Sequence, residues 1–325
     1  MTNSSAFSSI SSSQILAGNR RALAKAITLI ESHHPDHIER GQQLLDELLP
    51  HTGHSIRICI SGIPGVGKFT FIEAFGLFLI EQVKRVAVLA VDPSSPLAGG
   101  SILGDKTRMD EFARHKNAFI RPSPTSGSLG GVAHKTRQTM LLVEAAGYDV
   151  VLVETVGVGQ SEFEVAGMVD FFCVLMLPNA GDELQGIKKG ILELADALLV
   201  NKADGESVQL AEVTKQHYEN AFHMLRQASL WSPQVLPISA LENNNIDAVW
   251  GMILDYISQS KERGAFTSKR ADQNSHWLNK LVHELLEQLL MNNPSAQALW
   301  PDLERDVIDG GMTPITAAKT IINTL

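Results

Sequence analysis

A glycine-rich loop between a strand-like run and a helical run contains the residues best suited to chemistry. The loop reads Gly-Ile-Pro-Gly-Val-Gly-Lys from Gly62 to Lys68. Glycine permits backbone dihedrals at which successive N–H groups point at one anion, and the next helix adds its positive N-terminal end. Lys68 would reach the β- and γ-phosphates of a nucleotide. We therefore predict a P-loop whose nucleotide contacts are Gly62, Ile63, Pro64, Gly65, Val66, Gly67, Lys68, Phe69 and Thr70.

One position of this loop departs from the usual pattern. The residue after the lysine is normally Ser or Thr, whose hydroxyl ligates Mg²⁺. Here it is Phe69, which has no side-chain oxygen. Thr70 has a hydroxyl, but it points roughly 100° further round the helix. The loop thus predicts nucleotide binding and leaves the strength of Mg²⁺-dependent hydrolysis open.

Carboxylates follow or end two predicted strands near the expected phosphate site. Asp92 follows the run Val86–Val91, Glu154 ends the run Val150–Glu154, and Asp105 lies in a glycine-bracketed loop. A carboxylate at such a strand end can hold Mg²⁺ directly or through water. Taken alone, Asp92 could also mark a plain turn, and the segment after Glu154 could be a solvated hinge. In that segment, Gly157 would permit backbone approach to a γ-phosphate.

A second motif indicates which base the site selects. The sequence Asn-Lys-Ala-Asp follows a predicted strand, and Ser-Ala-Leu follows a later one. Asp204 would accept from the guanine N1–H and 2-amino groups; adenine lacks both donors, so a buried Asp204 would stay unpaired. Lys202 would stack on the base, and a backbone N–H of the second motif would meet guanine O6. We predict GTP and GDP as ligands, and the residues of these two motifs predicted to bind the nucleotide are Asn201, Lys202, Asp204, Ser239, Ala240 and Leu241.

The elements that must position these residues alternate between strand and helix. Strands are predicted at Ile56–Ser61, Val86–Val91, Ala118–Arg121, Val150–Glu154, Phe171–Leu177, Ala197–Asn201 and Gln234–Ile238. Several are continuous apolar runs, which suits a parallel sheet covered on both faces. The pattern predicts an α/β fold with a doubly wound, mostly parallel sheet and its ligand at the carboxyl ends of the strands.

Helical periodicity flanks this core on both sides. We predict an N-terminal helical extension at residues 1–50, a P-loop GTPase domain at residues 51–262, and a C-terminal helical region at residues 263–325.

Composition excludes several other classes of protein. The chain has 325 residues and a formal net charge of −9, which argues against a nucleic-acid footprint. Its two cysteines, Cys59 and Cys173, lie in apolar runs and are predicted to be buried thiols. No apolar run reaches the roughly 18 residues of a membrane span. The serine-rich start lacks the apolar core of a signal peptide, so we expect a cytoplasmic protein with no membrane partner.

Several longer strings resemble one family. They are residues 18–32, Val91-Asp-Pro-Ser-Ser-Pro96, residues 99–109, Val153-Glu-Thr-Val-Gly-Val-Gly-Gln-Ser-Glu162, and residues 182–190. With these strings the chain resembles, over about residues 16–256, the ArgK/MeaB G proteins. These are GTPase chaperones of adenosylcobalamin-dependent acyl-CoA mutases such as methylmalonyl-CoA mutase.

The resemblance implies roles for particular residues. Asp92, Asp105 and Glu154 would surround Mg²⁺ and, with Lys68, form the catalytic set. Residues 182–189 would be a switch loop that signals to the mutase, and the C-terminal helices would form a dimerising arm, which implies a homodimer.

The family's loop ends Gly-Lys-Ser-Thr, whereas this chain has Phe69 in place of the serine. Two hypotheses therefore stand. The first is a GTP-hydrolysing chaperone, and the second is a nucleotide-binding scaffold with impaired turnover. A metal-delivery GTPase is a weaker third, because the sequence has no His- or Cys-rich tract.

Overall fold

The computed structural model describes residues 10–91, 109–122, 129–155, 160–178, 189–225 and 231–325. The chain divides into two compact units, Met1–Phe266 and Thr267–Leu325. The predicted Asp92, Asp105 and Gly157, and most of the segment 182–189, lie outside the described residues.

The first unit is built on a seven-stranded sheet with the strand order β3-β2-β4-β1-β5-β6-β7. Every strand pair in it is parallel. The strands are β1 (Ile56–Gly62), β2 (Val86–Val91), β3 (Ala118–Arg121), β4 (Val150–Thr155), β5 (Phe171–Met176), β6 (Ala197–Val200) and β7 (Gln234–Pro237). Each predicted strand ends within one residue of the observed one, because continuous apolar runs mark strands that are buried on both faces.

Helices cover both faces of this sheet, so the predicted doubly wound fold is confirmed. The helices of the first unit are α1 (Ser12–Leu16), α2 (Arg20–Glu31), α3 (Pro35–Leu48), α4 (Lys68–Glu81), α5 (Asp110–Arg114), α6 (Leu129–Ala145), α7 (Gln160–Ala166), α8 (Lys189–Leu194), α9 (Val208–Leu225) and α10 (Ile246–Glu262). A first core cluster on one face includes Leu23, Val143 and Val165. A second core cluster on the other face includes Phe71 and Ile253.

The N-terminal helices α2 and α3 pack against α6 and belong to the first core cluster. Asn19 caps α2, since its side-chain oxygen accepts from the backbone N–H groups of Arg21 and Ala22. Arg121, at the end of β3, forms an ion pair with Glu31 at the end of α2. These contacts hold the extension to the side of the sheet.

Alternation along β1 separates the two faces. Cys59 belongs to the first core cluster, while Ile58 and Ile60 belong to the second. Cys173, on the neighbouring strand, pairs in register with Ile60 and belongs to the second cluster. Both cysteines are buried free thiols, as predicted, and they face opposite sides of the sheet.

The second unit is helical and has a small core of its own. It contains most of α11 (Ala265–Met291), together with α12 (Pro294–Ile308) and α13 (Pro314–Ile322). Its core is formed by Ala296, Leu303, Ala317 and Ile321. Apolar side chains of α11 that stay exposed are Leu278, Val282, Leu285, Leu286 and Leu289. None of the helices in the described ranges is long and apolar enough to cross a bilayer.

Candidate nucleotide site

The loop between β1 and α4 has a backbone that only glycine tolerates at two positions. Gly65 has φ 82° and Gly67 has φ 93°, both in the left-handed region. A Cβ built on Gly67 would lie 2.7 Å from Nδ2 of Asn201, so a side chain there would also collide. Val66, between them, is buried in the second core cluster and anchors the loop. The sequence thus folds here into the cradle that the P-loop motif predicts.

Lys68 is the first residue of α4 and is 8% exposed. Its Nζ donates to the backbone oxygen of Gly62, 2.7 Å away. Burial lowers the pKa of Lys68 from its ordinary value, and the charges of Glu154 and Glu162 partly oppose that change. A partly desolvated ammonium at a helix N-terminus gains from an anion beside it, which is what a nucleotide phosphate supplies.

Asn201 joins the P-loop to the predicted base-binding segments. Its Nδ2 donates to the backbone oxygen of Val66 at 2.8 Å, and its Oδ1 accepts from the N–H of Ala240 at 3.1 Å. Lys202 has φ 64°, and its Nζ donates to the backbone oxygen of Gly65 at 2.9 Å. Motifs more than 130 residues apart in sequence are therefore held together by direct hydrogen bonds.

Asp204 and Ser239 meet across the ends of β6 and β7. The Ser239 hydroxyl, which is fully buried, donates to Oδ2 of Asp204 at 2.5 Å. The same Ser239 oxygen accepts from the N–H of Glu242 at 3.1 Å. This bond fixes the direction of the carboxylate that would read guanine. Leu241, the last residue of the second motif, is 77% exposed.

Glu154 is the described member of the predicted metal site. It pairs in register with Ile60 of β1 and Ala90 of β2, and it is 7% exposed. Thr155, the next residue, pairs with Val91, the last residue of β2. Carboxylate oxygens are suitable ligands for Mg²⁺, and the residue types fit that ion. Within the described residues there is no cluster of three His, Cys, Asp or Glu side chains that could hold a metal.

The two residues after Lys68 differ in their surroundings. Phe69 is half-buried and packs against the second core cluster. Thr70 is exposed. Phe69 thus contributes packing at the start of α4, where the usual pattern has a hydroxyl.

Three buried polar side chains near the site were not predicted from the sequence. Ser61 and Thr155 follow the paired residues Ile60 and Glu154, so their side chains share the first-cluster face. Both hydroxyls are buried and find no hydrogen-bond partner among the described residues, which is uncommon for buried polar groups. Glu162 of α7 is fully buried. Ser61 and Thr155 could have been identified in the sequence, because each is a polar residue at the end of an otherwise apolar strand.

Comparison with known proteins places this site in a family. The family model described as methylmalonyl Co-A mutase-associated GTPase MeaB matches residues 23–295. GTPase ArgK of Escherichia coli is 51% identical over 277 residues, which cover 85% of this chain and 84% of that protein. The mitochondrial methylmalonic aciduria type A homolog of Mus musculus is 44% identical over 319 residues, covering 95% of this chain and 77% of that one.

A solved structure is also similar over nearly the whole chain. The crystal structure of LAO/AO transport system kinase superposes with a TM-score of 0.78 at 38% identity, and the match covers 99% of this chain and 98% of that one. The structural match agrees with the α/β fold and the parallel sheet described above. The resemblance found in the sequence is confirmed: the chain belongs to the MeaB family of methylmalonyl Co-A mutase-associated GTPases.

Proposed function

We propose that this protein binds and hydrolyses GTP, and that it acts as a chaperone which assembles or protects a cobalamin-dependent acyl-CoA mutase of the methylmalonyl-CoA mutase type. The observation that carries the GTP part is the pair of hydrogen bonds made by Asn201, which hold the P-loop and the base-binding segments in one site. The mutase part is supported by the family's description and by the name of the mouse relative.

Guanine is favoured over adenine by the carboxylate of Asp204. Ser239 satisfies part of this carboxylate and directs it, and the N1–H and 2-amino groups of guanine would pair with its remaining capacity. Adenine offers no donor at these positions, so its binding would leave acceptor capacity of a half-buried carboxylate unmet.

Hydrolysis would follow the general scheme of phosphoryl transfer, in which positioning and charge neutralisation supply most of the catalysis. Lys68 supplies one positive charge at the β- and γ-phosphates, and Glu154 is its buried neighbour at the end of β4. Mg²⁺, when bound, would add charge neutralisation between the same phosphates. Asp92, Asp105 and Glu154 are the residues we propose to hold it.

We also propose that the protein is a homodimer built through its C-terminal helices. The exposed apolar stripe of α11 needs a covering surface, because single-helix apolar faces of this size are normally buried. Light scattering should give about twice the 35.4 kDa mass of one chain. Removal of residues from Gly264 onward should give a monomer that still binds GDP; a full-length monomer at micromolar concentration would contradict the proposal.

One titration series tests the central proposal. GTP and ATP binding are measured with and without Mg²⁺, and phosphate release is followed in the presence and absence of a methylmalonyl-CoA mutase. We expect GTP and GDP to bind at least about tenfold more tightly than ATP, a difference of about 1.4 kcal/mol, and the mutase to change the rate of GTP hydrolysis. Equal GTP and ATP affinities would overturn the guanine assignment, and a rate that ignores the mutase would overturn the partner.

A further inference from the structure

Two short helices that follow the site's loops touch each other at a phenylalanine and a glycine. Helix α7 begins at Gln160, just beyond residues 156–159, which follow the end of β4. Helix α8 begins at Lys189, the last residue of the segment 182–189, which by the family resemblance would be a switch loop that signals to the mutase. Helix α7 packs against β1, β4, α6 and α8. It therefore contacts both β4, the strand that ends at Thr155, and the helix that follows the segment 182–189.

The contact between the helices is tight. A Cβ built on Gly190 would lie 2.8 Å from Cζ of Phe163, and 3.5 and 3.8 Å from its two Cε atoms. No residue larger than glycine fits at position 190 unless the ring moves. The Phe163 side chain is nevertheless 55% exposed, so the ring is not part of either core cluster. Displacing it should cost little folding free energy, because most of its surface is already in water.

Glu162, the residue before Phe163, differs from it in burial. Glu162 is fully buried, and its charge acts on Lys68 of the P-loop and on Cys59 of β1. Neighbouring residues of α7 thus lie in the buried interior, where the charge of Glu162 opposes the lowering of the Lys68 pKa, and against the start of α8. Closely packed elements move as bodies, so a shift of α7 at Glu162 must also move Phe163 against Gly190.

We propose that Phe163, seated on Gly190, is a positioning residue that transmits the nucleotide state from the end of β4 to α8 and so sets how GTP hydrolysis responds to the mutase. The proposal rests on the proposed function for its partner. The transmission of the nucleotide state from α7 to α8 does not need the mutase, and it is tested in a separate experiment.

The first experiment measures backbone amide hydrogen exchange in α8 of the full chain, with GDP or with a non-hydrolysable GTP analogue. In wild type, exchange at residues 189–194 should differ at least about twofold between the two nucleotides, because a closed packing contact suppresses local opening. Phe163→Ala should remove that difference, with nucleotide affinity and basal GTP hydrolysis within about twofold of wild type. Phe163→Leu, which keeps an apolar side chain on the glycine, should restore part of it.

Matched variants separate this contact from a general loss of packing. Leu254→Ala removes a comparably exposed apolar side chain from α10 and should leave the α8 difference intact. Gly190→Ala should displace the ring and act like Phe163→Ala, whereas Gly251→Ala, where a new Cβ meets nothing within 4 Å, should act like wild type. The double variant Phe163→Ala/Gly190→Ala should be no worse than either single change, since both remove one contact.

The second experiment measures GTP hydrolysis with the mutase present. Phe163→Ala and Gly190→Ala should lose most of the stimulation seen in wild type. If the mutase does not stimulate GTP hydrolysis by wild type, that result counts against the proposed function. The hydrogen-exchange result then tests by itself whether the contact between Phe163 and Gly190 carries the nucleotide state to α8. If wild type shows no nucleotide-dependent exchange in α8, or if Phe163→Ala keeps both the exchange difference and the stimulation, the proposal is overturned.

Discussion

Buried polar groups differ in their hydrogen bonding between the edge of the sheet where the strands begin and the edge where they end. At the edge where the strands begin, Glu144 accepts from Nε and Nη2 of Arg57 at 2.7 and 3.0 Å, and its Oε2 also accepts from the N–H of Gly53 at 2.8 Å. Asp170 accepts from the N–H of Arg57 at 2.8 Å. These buried charges are therefore neutralised and hydrogen-bonded by the chain itself.

At the edge where the strands end, some buried polar groups find no partner within the described residues. The hydroxyls of Ser61 and Thr155 are buried without a partner in the part of the chain that the structure describes. Lys68 is desolvated, and the neighbouring loop keeps glycines in left-handed conformations. A buried polar group without a partner costs stability. We therefore expect changes at the first edge to lower the stability of the fold and changes at the second edge to lower nucleotide affinity.

The largest effect is expected from Glu144→Ala. Burial alone would lower the pKa of Arg57, but the hydrogen bond and charge of Glu144, with the charge of Asp170, more than reverse this and raise it. Removal of Glu144 leaves a buried guanidinium without its main partner, which should cost about 3–5 kcal/mol of unfolding free energy. Urea denaturation measures this cost, and the GDP affinity of the remaining folded protein should not change.

The control for this prediction is Asp110→Ala, which breaks the exposed pair with Arg114. An exposed pair contributes about 0–1 kcal/mol, so this variant should denature close to wild type. A small loss in Glu144→Ala, or a loss of GDP affinity in the folded fraction, would show that the edges are not separated in this way.

The strands and the P-loop were predictable because each depends on local sequence. Apolar runs marked the strands, and glycine spacing before Lys68 marked the loop. The structure brings Asp204 and Ser239 of the second motif together, and the contacts of these residues with guanine stay a prediction. For Asp92 and Asp105 the metal assignment stays a prediction, since both lie outside the described residues.

The features that could not be predicted depend on strand register and on contacts between segments that are distant in sequence. The side chain of Asn201 bonds to the backbones of Val66 and Ala240, and the motif alone does not indicate these contacts between distant segments. The burial of Ser61 and Thr155 on one face follows from the pairing of β1 with β4, which the sequence does not state. The pairing of Arg57 with Glu144 likewise joins residues 87 positions apart.

An intermediate effect is expected from Asp204→Asn at the edge where the strands end. The amide would offer a donor where the carboxylate accepts from guanine, so GTP affinity should fall by roughly tenfold or more, consistent with about 1–3 kcal/mol for a buried unpaired group. Xanthosine triphosphate, which presents an acceptor at position 2, should gain affinity. Isothermal titration with the two nucleotides measures both changes.

Thermal denaturation of Asp204→Asn completes the comparison of the edges. Its unfolding midpoint without nucleotide should stay within a few degrees of wild type, because Asp204 is half-buried and its partner Ser239 can donate to the amide oxygen. A large drop in the midpoint, or an unchanged preference for GTP, would place Asp204 among the stabilising groups.

The smallest of the three effects is expected from replacement of Phe69, which packs against the second core cluster at the edge where the strands end. The usual loop hydroxyl ligates Mg²⁺, and positioning by that metal carries much of the catalysis of phosphoryl transfer. Phe69→Ser should therefore raise single-turnover phosphate release by roughly tenfold, if the absent ligand costs about 1.4 kcal/mol in the transition state. It should also lower the unfolding free energy by about 1–2 kcal/mol, because Phe69 packs against the second core cluster.

A competing arrangement is that Thr70 supplies the oxygen, and a second variant decides between them. Thr70 is exposed at the start of α4, so Thr70→Ala should leave the fold unchanged and the hydrolysis rate within about twofold if Thr70 ligates no metal. If Thr70 does supply the ligand, Thr70→Ala should abolish turnover and Phe69→Ser should change little. GDP affinity should survive in both variants, because the backbone cradle and Lys68 are untouched. An unchanged rate in Phe69→Ser would mean that the hydrolysis site of this chain is already complete with a phenylalanine in its P-loop.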